Sequence, residues 1–141
     1  MLQQERRIYL IKELLKEQQE KIKIPKTPTL QKQLLRALFN IRLPKEASNE
    51  FLKIQDEYLQ EEIAKKGITD CHLLTPIKKG IYLWQGDITT LCCDAIVNAA
   101  NSQMLGCFYP NHGCIDNAIH SYAGIQLRLA CACLLYTSRC V

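Results

Sequence analysis

The spacing of apolar residues changes at Gly67, and this change constrains the fold more than any other feature of the sequence. Before Gly67 the apolar residues recur every three or four positions, which is typical of amphipathic helices. After Gly67 short apolar runs alternate with stretches that contain Gly and Pro, which is typical of strands and loops. We therefore expect a helical N-terminal extension over residues 1–67 and a region of α/β class over residues 68–132.

Amphipathic helices are predicted at residues 3–22, at residues 29–40 and from Ser48 to Gly67. Ser48 is a good N-cap, and Gly67 suits the left-handed conformation that often follows a helix. Their apolar faces contain Ile8, Ile11, Leu15 and Ile22, then Leu30, Leu34, Leu35, Leu38 and Phe39, then Phe51, Ile54, Tyr58, Leu59 and Ile63. We expect these helices to be structural and to pack on the region that follows; a partner-binding role is the alternative.

Strands, a loop and a helix are predicted after the extension. Residues 81–85 form a strand by residue type, and residues 94–100 are a short apolar run suited to a strand buried on both faces of a parallel sheet. Residues 101–113 contain Gly and Pro and should form a loop, and residues 115–132 should form a helix. The order strand, strand, loop, helix begins an α/β domain.

Composition narrows the classes of function. The chain has 141 residues and a net charge of +4, and its basic residues mostly alternate with Glu along the helices. Nucleic-acid-binding proteins cluster basic residues on one face, so we expect no nucleic-acid partner. No apolar run reaches the ~18 residues that cross a bilayer and no secretory signal is evident, so we expect a cytoplasmic protein without a membrane partner. In a reducing compartment, eight Cys favour metal binding, catalysis or burial over disulfides.

Residues 133–141 do not continue the helical pattern that precedes them. They can be back-translated into codons that spell a transposase recognition end used in sequencing-library adapters, followed by the same element in reverse complement. We therefore expect a non-native, adapter-derived tail, with Cys133 and Cys140 as artefacts and the native helix interrupted near Ala132. The alternative is a natural C-terminus.

A G-D-I-T turn at residues 86–89 is followed by D-A-I-V-N-A-A-N at residues 94–101. In this order and at this spacing, the motifs resemble the signature of macrodomains, three-layer α/β/α modules that bind ADP-ribose. The resemblance implies that residues 68–132 are the N-terminal half of such a module, a partial macrodomain preceded by the helical extension. It assigns ADP-ribose binding to Asp87, Ile88, Asn98 and Asn101.

The resemblance also implies a role for each polar member of this set. Asp87 would accept a hydrogen bond from the adenine amino group, and Asn101 would make the main contact to the distal ribose. A carboxylate only accepts hydrogen bonds whereas an amide both donates and accepts, so these residue types suit those partners. From the residues alone, a turn residue or a helix N-cap is the preferred interpretation of Asp87, and a turn residue is the alternative for Asn101. Asn98 either contacts the ribose or holds the adjacent loop.

The loop over residues 104–120 reads M-L-G-C-F-Y-P-N-H-G-C-I-D-N-A-I-H. It resembles the zinc-containing branch of bacterial and fungal macrodomains, in which Cys, His and Cys hold a zinc ion beside the distal ribose. The matching residues are Cys107, His112 and Cys114, and the resemblance makes them, with Asn101, the catalytic set. Two thiolates and an imidazole are good Zn²⁺ ligands that leave a fourth position open, although a structural metal site or buried thiols are alternatives for the spacing alone.

Side chains around the two motifs receive structural interpretations. Asp116 and Asn117 either cap the following helix or orient a zinc ligand, and His120 is expected to be structural. Cys92 and Cys93 precede the predicted buried strand and are expected to be core thiols.

The combined resemblance implies zinc-dependent hydrolysis of mono-ADP-ribose from modified proteins. The alternative is a reader module that binds ADP-ribose without chemistry. Residues 48–60 also resemble the helical extension of the zinc branch, whereas the glycine-rich phosphate-binding loop of macrodomains has no counterpart in this sequence. A further reading is therefore that the chain is an inactive fragment, because half a parallel sheet leaves a long unpaired edge.

Overall fold

A computed structural model describes residues 1–138, which contain five α-helices and four short strands. The elements are α1 (Gln3–Glu17), α2 (Pro28–Ile41), α3 (Asn49–Lys66), β1 (Thr69–Asp70), β2 (Pro76–Lys78), β3 (Ile81–Tyr82), β4 (Leu91–Cys92), α4 (Ile115–Tyr122) and α5 (Ile125–Ser138). Short 3₁₀ turns lie at Cys71–Leu73 and Ile88–Thr90. Helices with small sheets are compatible with the α/β class expected from the sequence. The domain boundary at residue 67 and the three-layer arrangement stay predictions.

The ends of α3 lie where the sequence predicts them. The Ser48 hydroxyl accepts a hydrogen bond from the Phe51 amide at 3.1 Å, which satisfies one of the free N–H groups at the start of the helix. Gly67 follows the last turn with φ of 89°, a conformation that costs a residue without a Cβ very little. The α2 helix also covers its predicted span, extended by one residue at each end.

The first helix ends earlier than predicted, at Glu17 in place of residue 22. Gln19 adopts φ of 57°, its amide donates to the Lys16 carbonyl, and the Glu20 amide donates to the Leu15 carbonyl. These two bonds form a Schellman motif, which satisfies the last carbonyls of α1 and turns the chain away from the helix axis. Ile22 is consequently exposed instead of lying on the apolar face.

The main core is formed by α1, α2 and α3. Leu10, Ile11 and Leu14 of α1 are fully buried against Leu35 and other residues of α2 and α3. Full burial of one such side chain contributes about 1.5–3 kcal/mol, so this cluster accounts for much of the stabilisation of the N-terminal region. The remaining members of the cluster are Leu15, Leu38, Phe39, Phe51, Ile54, Tyr58, Leu59 and Ile125.

The strands pair over two or three residues only. β1 and β4 are parallel, with Thr69 opposite Leu91, and β2 and β3 are antiparallel. The predicted strand at residues 81–85 is therefore limited to Ile81–Tyr82.

The prediction of a buried strand at residues 94–100 is wrong for this structure. The segment has no regular secondary structure, and Val97 is 88% exposed. A strand buried on both faces needs neighbouring strands and covering helices, and within residues 1–138 no strand pairs with this segment. For the same reason Cys92 and Cys93, expected to be core thiols, are exposed.

The single helix predicted at residues 115–132 is two helices that meet at 109°. Gly124 interrupts them with φ of 83°, and a Cβ at this position would lie 2.5 Å from the Gln55 side-chain nitrogen. Gln55 of α3 accepts the Ile125 amide at 3.0 Å, so α3 caps the start of α5. Within residues 1–138 no single helix is long and apolar enough to cross a bilayer; α4 and α5 meet that test by length and composition only as a bent pair.

The α5 helix also extends beyond residue 132. Residues 133–138 continue it, although their sequence lacks the helical pattern of the preceding segment. Cys140, with Arg139 and Val141 of the predicted adapter-derived tail, lies outside the described residues.

Candidate metal centre

Three candidate metal ligands come together at the start of α4. The ligand atoms of Cys107, His112 and Cys114 all lie within 4.8 Å of one another, and Cys107 Sγ is 3.7 Å from His112 Nδ1. Ligands of one tetrahedral zinc ion lie about 3.5–4 Å apart, because Zn–S bonds are ~2.3 Å and Zn–N bonds ~2.0–2.1 Å. The donor set and its spacing therefore fit a zinc ion with small side-chain adjustments. His112 is exposed and the two thiols are half-buried, so the cluster can be reached from solvent.

A tight turn returns His112 to Cys107. The His112 amide donates to the Tyr109 carbonyl at 3.2 Å, and Asn111 within the turn adopts φ of 55°. The Tyr109 and His112 rings meet edge to face with centroids 5.6 Å apart. Asn is one of the few residues besides Gly that adopt this conformation readily, so Asn111 suits its position in the turn.

Cys114 is also the N-cap of α4. Its Sγ accepts a hydrogen bond from the Asn117 amide at 3.4 Å. The first N–H groups of a helix have no partner within the helix, and the Cys114 sulfur supplies an acceptor for one of them. The capping role proposed for Asp116 or Asn117 is therefore performed by Cys114.

Asp116 and His120 support the loop from the buried face of α4. Asp116 Oδ1 accepts a hydrogen bond from Asn98 Nδ2 at 2.8 Å, and His120 Nε2 lies 3.7 Å from the same oxygen. Burial lowers the pKa of His120, the Asp116 carboxylate opposes that shift, and the charge of Arg128 adds to it. The ring faces Gly106, where a Cβ would lie only 2.6 Å from it. His120 thus packs as a structural residue, as expected.

Both predicted ribose-binding amides lie at the edges of the metal loop, residues 104–114, which carries the three candidate ligands. Asn98 contacts α4 through Asp116, and its Oδ1 is buried without a hydrogen-bond partner among the described residues. Asn101 donates from Nδ2 to the Gly106 carbonyl at 3.3 Å and accepts the Gln103 amide at 2.9 Å. Asn101 therefore shapes the turn that leads into the loop, while Asn98 Oδ1 is buried without a partner among the described residues.

Asp87 and Ile88 lie in a separate turn. Asp87 Oδ1 accepts from the Thr89 amide and hydroxyl, and Oδ2 accepts from Lys66 Nζ at 3.0 Å. The Thr89 hydroxyl and Lys66 lower the pKa of the Asp87 carboxyl despite some burial. The turn packs against α3 and α4, and Lys66 Nζ lies 3.6 Å from the Tyr122 ring centroid. The structure thus gives Asp87 the capping role that was the alternative, and its side-chain hydrogen bonds to Thr89 and Lys66 do not join it to the metal loop.

Sequence reasoning missed the residues that anchor the loop. Arg36 of α2 donates to the His112 carbonyl and to Asn117 Oδ1. Asn40, also of α2, accepts the Asn111 amide. A signal was present for Arg36, because the α2 positions three or four residues away are Lys32, Gln33, Phe39 and Asn40 and offer no carboxylate. An arginine without a carboxylate on its own helix is free to bond to another segment, although the sequence does not say which one.

Arg128 of α5 was also missed. Its buried guanidinium donates to the carbonyls of Phe39, Asn40 and Arg42 at the end of α2, and to those of Leu105 and Cys107 in the loop. Burial lowers the pKa of Arg128, while the Asp116 carboxylate opposes that change. The guanidinium also lies 4.1 Å from the Phe108 ring centroid, in cation–π geometry.

Comparison with known proteins supplies named relatives. No protein-family model matches the chain. It is similar to a protein-ADP-ribose hydrolase of Treponema medium, with 54% identity over 138 residues that cover 94% of this chain and 53% of the relative. It is also similar to a protein-ADP-ribose hydrolase of Staphylococcus aureus (strain COL), with 52% identity over 101 residues that cover 71% of this chain and 38% of the relative. The chain thus spans about half, or less, of the length of these curated relatives.

Proposed function

We propose that this chain carries the zinc- and ribose-binding part of a hydrolase that removes mono-ADP-ribose from modified proteins. The observation that carries the proposal is the convergence of Cys107, His112 and Cys114 within 4.8 Å. The names of the Treponema and Staphylococcus relatives support the reaction class. The macrodomain motifs support the ADP-ribose ligand, and the substrate is then a mono-ADP-ribosylated protein.

Zinc would be held by the two thiolates and the imidazole of this cluster. A zinc ion with three protein ligands supplies a Lewis acid at its open coordination position. The cluster borders Asn98 and Asn101, so the distal ribose is the part of the substrate that belongs beside it. The solvent-exposed side of His112 leaves room for the protein that bears the modification.

Asn98 and Asn101 orient the ribose in this proposal. The buried Asn98 Oδ1 lacks a partner among the described residues, and it would accept a ribose hydroxyl once the atoms that cover it move aside, which satisfies an atom that is costly to leave unbonded. Asp116 fixes that amide, since Asn98 Nδ2 donates to it. Asn101 exchanges its bond to the Gln103 amide for a second ribose hydroxyl. Two placed amides fix the orientation of the anomeric carbon, which is a major source of rate acceleration.

The reaction is a hydrolysis at the anomeric carbon of that ribose. A water oxygen bonds to the carbon, the bond to the protein side chain breaks, and the side chain leaves with one proton from the water. The products are free ADP-ribose and the unmodified protein. Asp87 and Ile88 would contact the adenine end, for which Asp87 must exchange its bond to Lys66 for the adenine amino group.

Metal binding is tested on the 141-residue chain itself. We expect one tightly bound zinc per chain, and loss of that zinc in Cys107→Ala and in His112→Ala. Cys92→Ala is the matched control, because this exposed thiol lies outside the cluster and its loss should leave zinc content unchanged. Equal zinc content in all four proteins would refute the assignment of the ligands.

Hydrolysis is tested in a chimera in which this chain replaces the matching segment of the Treponema relative. We expect the chimera to release ADP-ribose from a mono-ADP-ribosylated protein, the Cys107→Ala chimera to release none, and the 141-residue chain alone to be inactive. A zinc-loaded chimera that binds ADP-ribose but releases none from several differently linked substrates would be a reader module. The reaction proposed here would then be wrong.

A further inference from the structure

We propose that α2 is part of the metal centre, with Arg36 and Asn40 as positioning residues that hold the segment 107–117 in its ligand-binding shape. The inference rests on the metal site of the proposed function. It goes beyond that function by assigning a role in metal binding to α2, one of the N-terminal helices that were expected from the sequence to be structural.

Arg36 joins two ligand-bearing parts of the loop. Its Nη2 donates to the His112 carbonyl at 3.1 Å, and Nε and Nη2 both donate to Asn117 Oδ1, at 3.1 and 2.7 Å. The Asn117 side chain is fully buried, and the backbone N–H of Asn117 donates to Cys114 Sγ. One planar guanidinium therefore sets the position of His112 relative to the turn of α4 that holds Cys114.

Asn40 lies one helical turn after Arg36 and holds the intervening backbone. Its Oδ1 accepts the Asn111 amide at 2.9 Å, and its Nδ2 donates to the Ser121 hydroxyl of α4 at 2.9 Å. Residues at i and i+4 share one face of a helix, so the two side chains present a single polar surface to the loop. That surface fixes both the turn and the helix that follows it.

The turn needs this external support. Asn111 and His112 are exposed, so within residues 1–138 the turn is held internally only by the bond from the His112 amide to the Tyr109 carbonyl and by the contact between their rings. A sparsely populated conformation persists only where its surroundings determine it. Among the described residues, the helices that donate or accept hydrogen bonds at the turn are α2 and α4, the latter through Asn117 Nδ2, which donates to the Tyr109 carbonyl.

This face of α2 is separate from the face that forms the core. Leu35, Leu38 and Phe39 are buried against the other N-terminal helices, whereas Arg36 is only half-buried. Arg36 can therefore be changed without opening a cavity in the core. Arg6 provides a matched control, since it is a part-buried arginine that joins α1 to Glu57 and Glu61 of α3, away from the loop.

The test compares Arg36→Lys with Arg6→Lys in the 141-residue chain. Lysine keeps the charge but cannot reproduce the forked contact to Asn117 and His112. Zinc affinity is measured by competition with a chromophoric chelator, and amide hydrogen exchange over residues 107–117 is measured in the metal-free chain. We expect Arg36→Lys to weaken zinc binding about tenfold or more and to speed exchange in the loop, with both effects absent in Arg6→Lys.

The two readouts separate this inference from the metal site on which it rests. If Arg36→Lys matches Arg6→Lys in zinc affinity and in loop exchange, the positioning role is refuted. If the chain without substitutions takes up no zinc, the metal part of the proposed function fails. The positioning role of Arg36 is then decided by the exchange data alone. Faster exchange confined to the loop of Arg36→Lys would then still support positioning, and unchanged exchange would refute it.

Discussion

The N-terminal helices and the segment that follows them differ in how much apolar surface they bury. Leu10, Ile11 and Leu14 of α1 have no exposed surface, whereas Leu83 and Val97 are 80% and 88% exposed. A helix completes its backbone hydrogen bonds within itself and needs only one neighbour to cover its apolar face. A strand inside a parallel sheet needs partners on both edges, and crossover connections of about a dozen residues or more separate these partners in sequence. The helices therefore fold on nearby residues, while the strand segment depends on more of the chain.

In the described part of the chain, the metal loop is held in place by side chains of the helices and not by the strands. Its anchors are Arg36 and Asn40 of α2 and Arg128 of α5, and each makes its loop contacts from a helix. The short strands contribute little to it. The shape of the candidate site therefore depends on the helices. Substitutions in the helices should accordingly have larger effects than substitutions in the strand segment.

The largest difference is expected between Leu14→Ala and Val97→Ala. Leu14 is fully buried, so its truncation should lower the free energy of unfolding by about 2–5 kcal/mol. Val97 is exposed, so its truncation should change it by less than about 0.5 kcal/mol. Urea denaturation followed by circular dichroism measures both values. Similar losses would show that residues 94–100 are buried after all, and the contrast between the regions would not hold.

Arg128→Lys tests the connection between the helices and the loop. Five backbone carbonyls accept hydrogen bonds from this guanidinium, and an ammonium can replace only some of them. Buried acceptors left without a donor should cost about 2 kcal/mol in urea denaturation. Arg6→Lys is the control, because its partners Glu57 and Glu61 are over a third exposed and such pairs contribute about 1 kcal/mol or less. Equal losses would mean that Arg128 does not join the two regions.

Ser48→Ala tests whether the helices rely on local signals. The Ser48 hydroxyl caps α3 through the Phe51 amide, so its removal should cost about 1 kcal/mol. Ser48→Asp retains an acceptor and should restore most of that stability. Thermal and urea denaturation of the three proteins provide the comparison. An unchanged midpoint in Ser48→Ala would show that packing alone determines where α3 begins.

The smallest effect concerns His120 between α4 and the loop. Burial holds its pKa below the ordinary value of 6.5, so the unfolded chain binds the proton more readily than the folded one. The free energy of unfolding should therefore be constant above about pH 7 and fall as the pH drops below 6.5. His120→Gln should lack this part of the pH dependence. The free energy of unfolding is measured for the chain and for His120→Gln from about pH 7.5 to about pH 5. The same pH dependence in the two proteins would refute a buried neutral ring.

The sequence predicted features whose signals are local. The limits of α3 follow from Ser48 and Gly67, and the ligand cluster was predicted from the spacing of Cys107, His112 and Cys114 together with a family resemblance. The adenine- and ribose-binding roles of Asp87, Ile88, Asn98 and Asn101 stay predictions.

The failures concern features that depend on distant residues. Residues 94–100 have the composition of a buried strand, but composition does not supply the neighbours that a strand requires. The break at Gly124 depends on Gln55, which occupies the space a side chain would need. The role of Arg36 depends on a loop about 80 residues away, and only its lack of a partner on α2 indicated it.

Cys114 belongs to two equilibria at once, because the thiol that can ligate a metal also accepts the Asn117 amide in the first turn of α4. Coupling between two such equilibria is reciprocal. Under the proposed metal binding, a change that frays the start of α4 would lower the affinity of the loop for an ion, and a bound ion would stabilise that turn by an equal free energy. The persistence of the first helical turn becomes a measure of metal occupancy that can be followed without substrate.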